Sequence, residues 1–216
     1  ADGGGPIAAA AAAAATAFPA DVEAEANAAF QALYAGDKGK ASSGSGGGGG
    51  DDKAAAKAAG AIDARRPLTV DALATRMLGW AAGGARDRAL SACMAAALLD
   101  EYRFFGRYPE PELAKTAALL GALVSRGLLP DAQLALALRC VLDAAREPPG
   151  SKLARFFAAG ALRACAGQLH RFPKYCAQLA ALQGLRDADR ALAATVDAVV
   201  ADAASGRAPP QPAELG

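Results

Sequence analysis

The side chains that most often perform chemistry are few in this chain, and one small group of them could form a site. The single histidine, His170, lies between Cys165 and Cys176. Imidazole and thiolate groups bind zinc, and a thiolate beside an imidazole can act as a nucleophile, so either site is conceivable. The three residues lack a fourth ligand and the closely spaced cysteine pairs of zinc sites. We therefore interpret the thiols as core residues and His170 as a helix-end residue.

Other arrangements that support catalysis are also missing from the sequence. The glycine run at residues 46–50 is not followed by Lys-Ser or Lys-Thr and no predicted strand precedes it, so it is not a phosphate-binding loop. Asp100, Glu101, Glu110 and Glu112 cluster around one turn, where solvated helix ends account for them. We predict no enzymatic activity, no cofactor and no bound metal.

The charges of the chain are nearly balanced, with 23 Lys and Arg against 22 Asp and Glu. Such a balance argues against a general attraction to nucleic acid or membranes. A local basic excess lies in residues 139–174, formed by Arg139, Arg146, Lys152, Arg155, Arg163, Arg171 and Lys174. These residues could contact RNA phosphates, although we interpret them as a solvated helix face, and we expect no exposed aromatic residues among them for base stacking. Direct RNA binding by a helical-repeat domain of translation-factor type is therefore the alternative function.

Aromatic residues concentrate in two places. One group comprises Tyr102, Phe104, Phe105 and Tyr108. The other is Phe30 and Tyr34, which lie four residues apart in the first predicted helix. Core packing would explain this clustering, and so would a groove for an amphipathic peptide, because such grooves have aromatic and aliphatic walls.

The elements that must position these residues are all helices. Residues 1–17, 36–61 and 205–216 contain too few large apolar side chains to fold, and we predict a disordered Gly/Ala-rich linker, a flexible insert and a disordered tail. The remainder of residues 18–204 forms one predicted domain. Apolar side chains spaced by three and four predict helices near residues 20–35, 69–80, 85–104, 110–126, 130–147, 151–164, 173–182 and 187–204. Thr69 and Asp187 are the predicted N-caps.

Pairs of these helices recur about every forty residues, as in HEAT-type repeats. No segment alternates apolar and polar residues as a strand does, and no run is long and apolar enough to span a membrane. The sequence therefore predicts an all-α fold, a HEAT-like or MIF4G-like stack of antiparallel helical hairpins with about eight helices.

Several segments of the chain, taken in order, resemble a known family. The segment Glu-Tyr-Arg-Phe-Phe-Gly-Arg-Tyr-Pro-Glu, residues 101–110, resembles the most distinctive turn in the central HEAT region of the Not-one scaffold of the Ccr–Not mRNA deadenylase. Residues 136–144, 150–152 and 172–176 are similar to later hairpins of that region, and residues 25–34 to its opening helix. The resemblance extends over about residues 20–185 without the insert, and the matching region is the tristetraprolin-binding domain.

The resemblance implies a non-catalytic adaptor. It would bind short apolar motifs of RNA-binding proteins, such as tristetraprolin, and so recruit mRNAs for poly(A) shortening and translational repression. Other deadenylase subunits would bind flanking regions of the full chain, mRNA would be contacted indirectly, and the protein would act in the cytoplasm, in P-bodies, and also in the nucleus. The peptide-binding residues implied are Phe30, Tyr34 and Tyr108, to which we add Phe105 and Leu113 because they flank Tyr108.

Overall fold

Helices account for all the regular structure in the part of the chain that the structure describes. The structure, a computed structural model, describes residues 18–35, 65–148 and 150–205. The predicted linker, the predicted insert and residues 206–216 of the predicted tail lie outside the described residues. Within those three ranges there is no strand, which confirms the all-α prediction. The chain divides into two compact units, Ala1–Asp100 and Glu101–Gly216. A single domain over residues 18–204 stays a prediction.

Three helices lie in the described part of the first unit. They are α1 (Ala20–Ala35), α2 (Val70–Ala81) and α3 (Ala85–Asp100), and α3 packs against both of the others. Thr69 caps α2 as predicted, because its hydroxyl oxygen accepts a hydrogen bond from the Ala72 amide at 3.1 Å. Such a bond satisfies one of the amides that a helix start leaves without a partner.

The contact of α1 with α3 combines small apolar residues with an ion pair. The buried residues of α1 are Val22, Ala26, Ala29, Ala32 and Leu33. Their spacing of three and four residues places them on one helix face. Arg86 of α3 lies 3.0 Å from a carboxylate oxygen of Asp21 and 2.9 Å from one of Glu25. Because alanine has little apolar surface, this face buries little area per residue.

The second unit begins with a 3₁₀ turn where the sequence predicted a continuing α-helix. Helix α3 ends at Asp100, and Glu101–Arg107 is 3₁₀-helical. Side chains three residues apart align in a 3₁₀ helix, and Tyr102, Phe105 and Tyr108 have that spacing. The prediction that the α-helix reaches residue 104 is wrong. With three residues per turn, the three rings line up on one side of the segment.

Six α-helices follow in the described part of this unit. They are α4 (Glu110–Ser125), α5 (Asp131–Ala145), α6 (Ala159–Ala164), α7 (Pro173–Ala180), α8 (Gln183–Ala188) and α9 (Arg190–Ala204). A π-helical turn, Leu153–Ala158, leads directly into α6, and Ala166–Arg171 is 3₁₀-helical. The predicted cap Asp187 lies inside α8. Asp189 caps α9 instead, since its carboxylate accepts from the Leu192 amide at 3.0 Å.

Helices α4 and α6 approach each other through small residues. A Cβ atom on Gly121 would overlap the Ala161 carbonyl oxygen and the Ala164 methyl group. On α6, a Cβ atom on Gly160 would lie 3.1 Å from the Ala117 methyl group of α4. Glycine is required at residue 121 because the backbone of the opposite helix occupies the place of a side chain.

Candidate functional site

Four rings in the second unit form one connected group, which we call the ring cluster: Tyr102, Phe105, Tyr108 and Phe157. Phe105 lies at its centre, with ring centroids 5.7 Å from Tyr102, 5.3 Å from Tyr108 and 5.0 Å from Phe157. These separations are typical of favourable edge-to-face and tilted aromatic pairs. Phe105 and Phe157 are 1% and 0% exposed, whereas Tyr102 and Tyr108 are half-buried. The tyrosines are therefore the part of the ring cluster that an approaching molecule can contact.

The position of Tyr108 is fixed by its backbone and by its hydroxyl group. Its amide donates a hydrogen bond to the Phe105 carbonyl at 3.1 Å, and its hydroxyl donates to a Glu101 carboxylate oxygen at 2.9 Å. The Lys152 ammonium, at the start of the π-helical turn, donates to the Tyr108 carbonyl at 2.9 Å. Tyr108 is thus held in one orientation before any ligand binds.

Phe105 and Leu113 were predicted to bind a peptide alongside Tyr108. Both are buried, at 1% and 0% exposure, so neither side chain presents surface to a peptide. The Phe105 ring packs against the Tyr108 ring, and Leu113 belongs to the buried face of α4. Their burial fits a supporting role, in which they hold the half-buried Tyr108 in place.

The two predicted peptide-binding residues of the first unit lie on α1. Phe30 and Tyr34 are both half-buried, and a spacing of four residues places them one turn apart on the same side of the helix. Ala29 and Leu33, directly before them, are buried. The two rings therefore border the buried face of α1 and remain partly open to solvent.

The thiols that could have formed a metal site or a nucleophile pair with His170 are engaged otherwise, and His170 Nδ1 lies 2.9 Å from the Gly167 carbonyl oxygen. The thiols of Cys165 and Cys176 are buried and donate to the carbonyls of Leu162 and Leu169. Burial raises the pKa of Cys165 to about 12 and the pKa of Cys176 to about 11. At neutral pH both are protonated and are poor nucleophiles and metal ligands. Across the described ranges, no three His, Cys, Asp or Glu side chains converge on a possible metal position.

The basic residues of 139–174 do not form a continuous row of available cations. Arg139 and Arg146 lie 3.6 and 3.1 Å from Asp143 carboxylate oxygens, and Arg163 lies 2.6 Å from one of Asp189. Lys152 is bound to the Tyr108 carbonyl, as described above. Four of the seven basic side chains therefore already bond to a partner within the chain.

Two half-buried aromatic residues lie beside basic ones in this stretch, and neither is exposed as a base-stacking ring would be. The guanidinium carbon of Arg155 lies 5.3 Å from the ring centroid of Phe156, and that of Arg171 lies 5.7 Å from the ring of Phe172. Both rings are half-buried. In the sequence, this pairing corresponds to the two Arg-Phe dipeptides at residues 155–156 and 171–172.

None of the helices in the described part of the chain combines the length and the apolar composition needed to cross a bilayer.

Comparison with known proteins bears on the fold first. The chain is similar to a solved structure of the N-terminal domain of the yeast Not1, with a TM-score of 0.67 and 22% identity, over 91% of this chain and 32% of that one. At this level of identity the likeness concerns the fold. It supports the prediction of an all-helical, HEAT-like architecture.

Sequence relatives belong to one group of proteins. The chain is 37% identical over 91 residues to the CCR4-NOT transcription complex subunit let-711 of Caenorhabditis elegans. It is 42% identical over 90 residues to the general negative regulator of transcription subunit 1 of Schizosaccharomyces pombe. Each alignment covers 42% of this chain but only 3% and 4% of the relatives, so the chain corresponds to a small part of their length.

A family model matches residues 67–207, which is more than half of the chain. The matched range includes the ring cluster, the predicted site residue Leu113 and all of α2 to α9, whereas α1, with Phe30 and Tyr34, precedes it. The resemblance seen in the sequence is confirmed: the chain belongs to the family of the CCR4-NOT transcription complex subunit 1 TTP-binding domain.

Proposed function

We propose that this chain is a non-catalytic adaptor domain of a CCR4-NOT scaffold, which binds short apolar motifs of RNA-binding proteins. Such binding would recruit the mRNAs carried by those proteins for poly(A) shortening and translational repression. The observation that carries the proposal is Tyr108, a partly exposed ring supported by buried rings and fixed by three hydrogen bonds. The family name of the matching model, which refers to TTP binding, supports the same conclusion.

The physical reason is preorganisation. A few aromatic anchors supply most of the affinity of a typical protein interface, and anchors that are already fixed lose little entropy on binding. In the proposal, Tyr108 is one anchor, and Phe30 and Tyr34 are further contact residues in the first unit. Phe105 and Leu113 are buried and contribute by holding Tyr108 in place. In each unit, apolar side chains of a bound peptide would lie against the partly exposed rings.

The proposal extends to the setting of the whole protein. Other deadenylase subunits would bind regions that flank this domain in the full chain, and mRNA would be contacted through the recruited proteins. The site of action would be the cytoplasm with its P-bodies, and the nucleus as a second compartment.

Replacement of Tyr108 tests the proposal. In Tyr108→Glu a charge replaces the ring, and we expect the affinity for the best-binding peptide to fall about 30-fold or more, as for an interface hot spot. Fluorescence anisotropy with labelled peptides that tile tristetraprolin would measure this loss. Phe104→Glu is the matched control, because Phe104 lies in the same 3₁₀ turn but is 36% exposed and outside the ring cluster.

Circular dichroism would establish that each variant keeps its helical content. Phe30→Glu, tested in the same way, examines the first-unit contact separately. Normal binding by both Tyr108→Glu and Phe30→Glu would contradict the assignment of the peptide site. Failure of every tiled peptide to bind the unmodified chain would contradict a tristetraprolin-type ligand.

Direct RNA binding remains the alternative, with less support from the arrangement of the basic residues. Several phosphate contacts would make the affinity fall steeply as salt rises. A filter-binding series over increasing salt concentrations decides this question, and an absence of RNA binding at the lowest salt concentration would eliminate the alternative.

A further inference from the structure

A cavity in the second unit has no role in the proposed function. Its volume is about 450 Å³, and its lining residues are Arg155, Phe156, Arg163, Asp187 and Ala188. The π-helical turn, α6 and α8 supply these residues. π-Helical turns inside helices occur frequently at functional sites. The cavity shares no residue with the ring cluster or with Phe30 and Tyr34.

Arg163 is oriented by a residue that is itself fixed. Its Nε atom lies 2.6 Å from one carboxylate oxygen of Asp189, and the other oxygen of that carboxylate accepts from the Leu192 amide at the start of α9. The Asp189 side chain is only 15% exposed, whereas that of Arg163 is 57% exposed. One N–H of the guanidinium is thus engaged, and its other donors are available to a ligand.

The ionisation of Asp189 favours this arrangement at neutral pH. Its hydrogen bond to Arg163, and then its hydrogen bond to the Leu192 amide, lower the pKa of the carboxyl group below its usual value. Asp189 is therefore negatively charged under ordinary conditions and keeps Arg163 in place. The Arg163 guanidinium is consequently held by the fold rather than free to sample many rotamers.

Arg155 provides a second cation of a different kind. Its guanidinium lies over the Phe156 ring, an arrangement with a favourable cation–π interaction. Among the described residues, no carboxylate lies within ion-pair distance of Arg155, so its charge is not neutralised locally. The pair therefore combines a positive charge on one face of the Phe156 ring with the apolar surface of the ring itself.

We propose that this cavity binds an acidic side chain of a partner protein, with a neighbouring aromatic or aliphatic side chain packed on the Arg155–Phe156 pair. The Arg163 and Arg155 guanidinium groups donate hydrogen bonds to the acidic group, since planar guanidinium matches carboxylate and phosphate geometry. The volume falls in the range of small-ligand pockets, roughly 300–1,000 Å³, and suits one or two side chains rather than a folded element.

The charge distribution favours a peptide over a nucleic acid strand. Asp187 lies on the cavity wall, where the Gln183 amide donates to it at 3.3 Å. A strand carrying a phosphate at each nucleotide would meet this carboxylate as well as the two arginines. Arg139, Arg146 and Lys152 already bond to partners within the chain, so they do not form a continuous row of cations that further phosphates of a nucleic acid could contact. A single acidic group can approach the arginines and avoid Asp187.

The test is a titration of the 216-residue chain followed by NMR signals of the arginine Nε–H groups. The probes are N-acetyl-Glu-Phe-amide, its phosphoserine counterpart N-acetyl-pSer-Phe-amide, the neutral N-acetyl-Gln-Phe-amide, and a short oligouridylate. We expect both acidic probes to shift the Arg155 and Arg163 signals saturably, and the shifts to weaken as salt rises. The neutral probe should bind at least about tenfold more weakly.

Arg155→Gln should weaken binding of the acidic probes at least about tenfold. Arg139→Gln is the matched control, because Arg139 is exposed in the same basic stretch but pairs with Asp143 in its own helix. It should leave binding unchanged. Arg163→Gln is a second variant, with circular dichroism as a check on folding, since Arg163 also holds Asp189.

Three results would overturn the proposal. One is equal binding of the neutral and acidic probes, which would make the cavity simply apolar. Another is the absence of any saturable shift with either acidic probe. The third is tighter binding of the oligouridylate than of the acidic peptides at the same arginines, which would make the cavity an RNA site. None of these results depends on Tyr108, so the proposed peptide site is judged separately.

Discussion

The packing inside the first unit differs in kind from the packing inside the second. In the first unit, α1 lies on α3 through a face that is mostly alanine, with Arg86 bridging to Asp21 and Glu25. In the second unit, large rings interlock in the ring cluster, and α4 and α6 approach so closely that Gly121 has no room for a side chain. Interlocked packing depends on shape, whereas exposed ion pairs depend on solvent conditions. Substitutions in the two units should therefore differ in size and in salt dependence.

The largest effect should come from the ring cluster. Phe157→Ala removes a 0% exposed ring that contacts Phe105 and Tyr102, and we expect it to lower the free energy of unfolding by about 3–5 kcal/mol. Denaturant titration followed by circular dichroism would measure the loss. Phe104→Ala, which removes an exposed ring, should cost less than about 1 kcal/mol. Equal losses for the two variants would mean that the ring cluster is not a major source of stability.

A smaller effect is expected where α4 and α6 cross. Gly121→Ala places a methyl group against the Ala161 carbonyl, and the helices must separate, at a cost of about 1–3 kcal/mol. The matched control is Gly79→Ala in α2, where a Cβ meets nothing within 4 Å. That change should stabilise the chain by about 0.5–1 kcal/mol, because alanine favours helix over glycine. Thermal unfolding would compare the two variants. A Gly121→Ala variant with the same Tm as the unmodified chain would mean that the two helices can separate at no cost in stability.

The smallest effect should come from Arg86→Gln. The pair with Asp21 is solvent-exposed, with side-chain exposures of 51% for Arg86 and 62% for Asp21, and the pair with Glu25, whose side chain is 16% exposed, is partly buried. Because Arg86 itself is exposed, we expect the contribution to stability to be small. We expect a lower Tm at low salt and a difference that shrinks as salt rises toward about 1 M, where the screening length falls to about 3 Å and becomes comparable to the length of these ion pairs. Phe157→Ala should show no such salt dependence. A salt-independent loss in Arg86→Gln would mean that the arginine stem packs as well as pairs.

Much of the fold could be predicted because local signals agreed with the final packing. Helix α1 has the predicted bounds, and Thr69 caps α2, since apolar periodicity and a capping side chain act within a few residues. The cap of α9 was misplaced because Asp187 and Asp189 are both good capping residues. Only the short helix α8, set by tertiary packing, decides between them.

The 3₁₀ turn and the candidate site show where sequence reasoning ends. Tyr102, Phe105 and Tyr108 could be identified as a cluster, but which of them is buried depends on Phe157, fifty or so residues away. The placement of Phe105 and Leu113 in the core could not be predicted from their nearness to Tyr108 in sequence. The cavity beside Arg155 could not be predicted from the sequence either, because its wall includes residues of α8, which are distant from Arg155 in the chain.

The spacing of the 3₁₀ turn has a consequence for how this segment can vary. Its exposed residues, Arg103, Gly106 and Arg107, can be exchanged for others with little disturbance, because they project into solvent. A change in length is different. Insertion or deletion of one residue between Tyr102 and Tyr108 would rotate every later ring by about a third of a turn, away from the neighbours it must touch. Natural variants of this turn should consequently differ in composition while keeping the same number of residues.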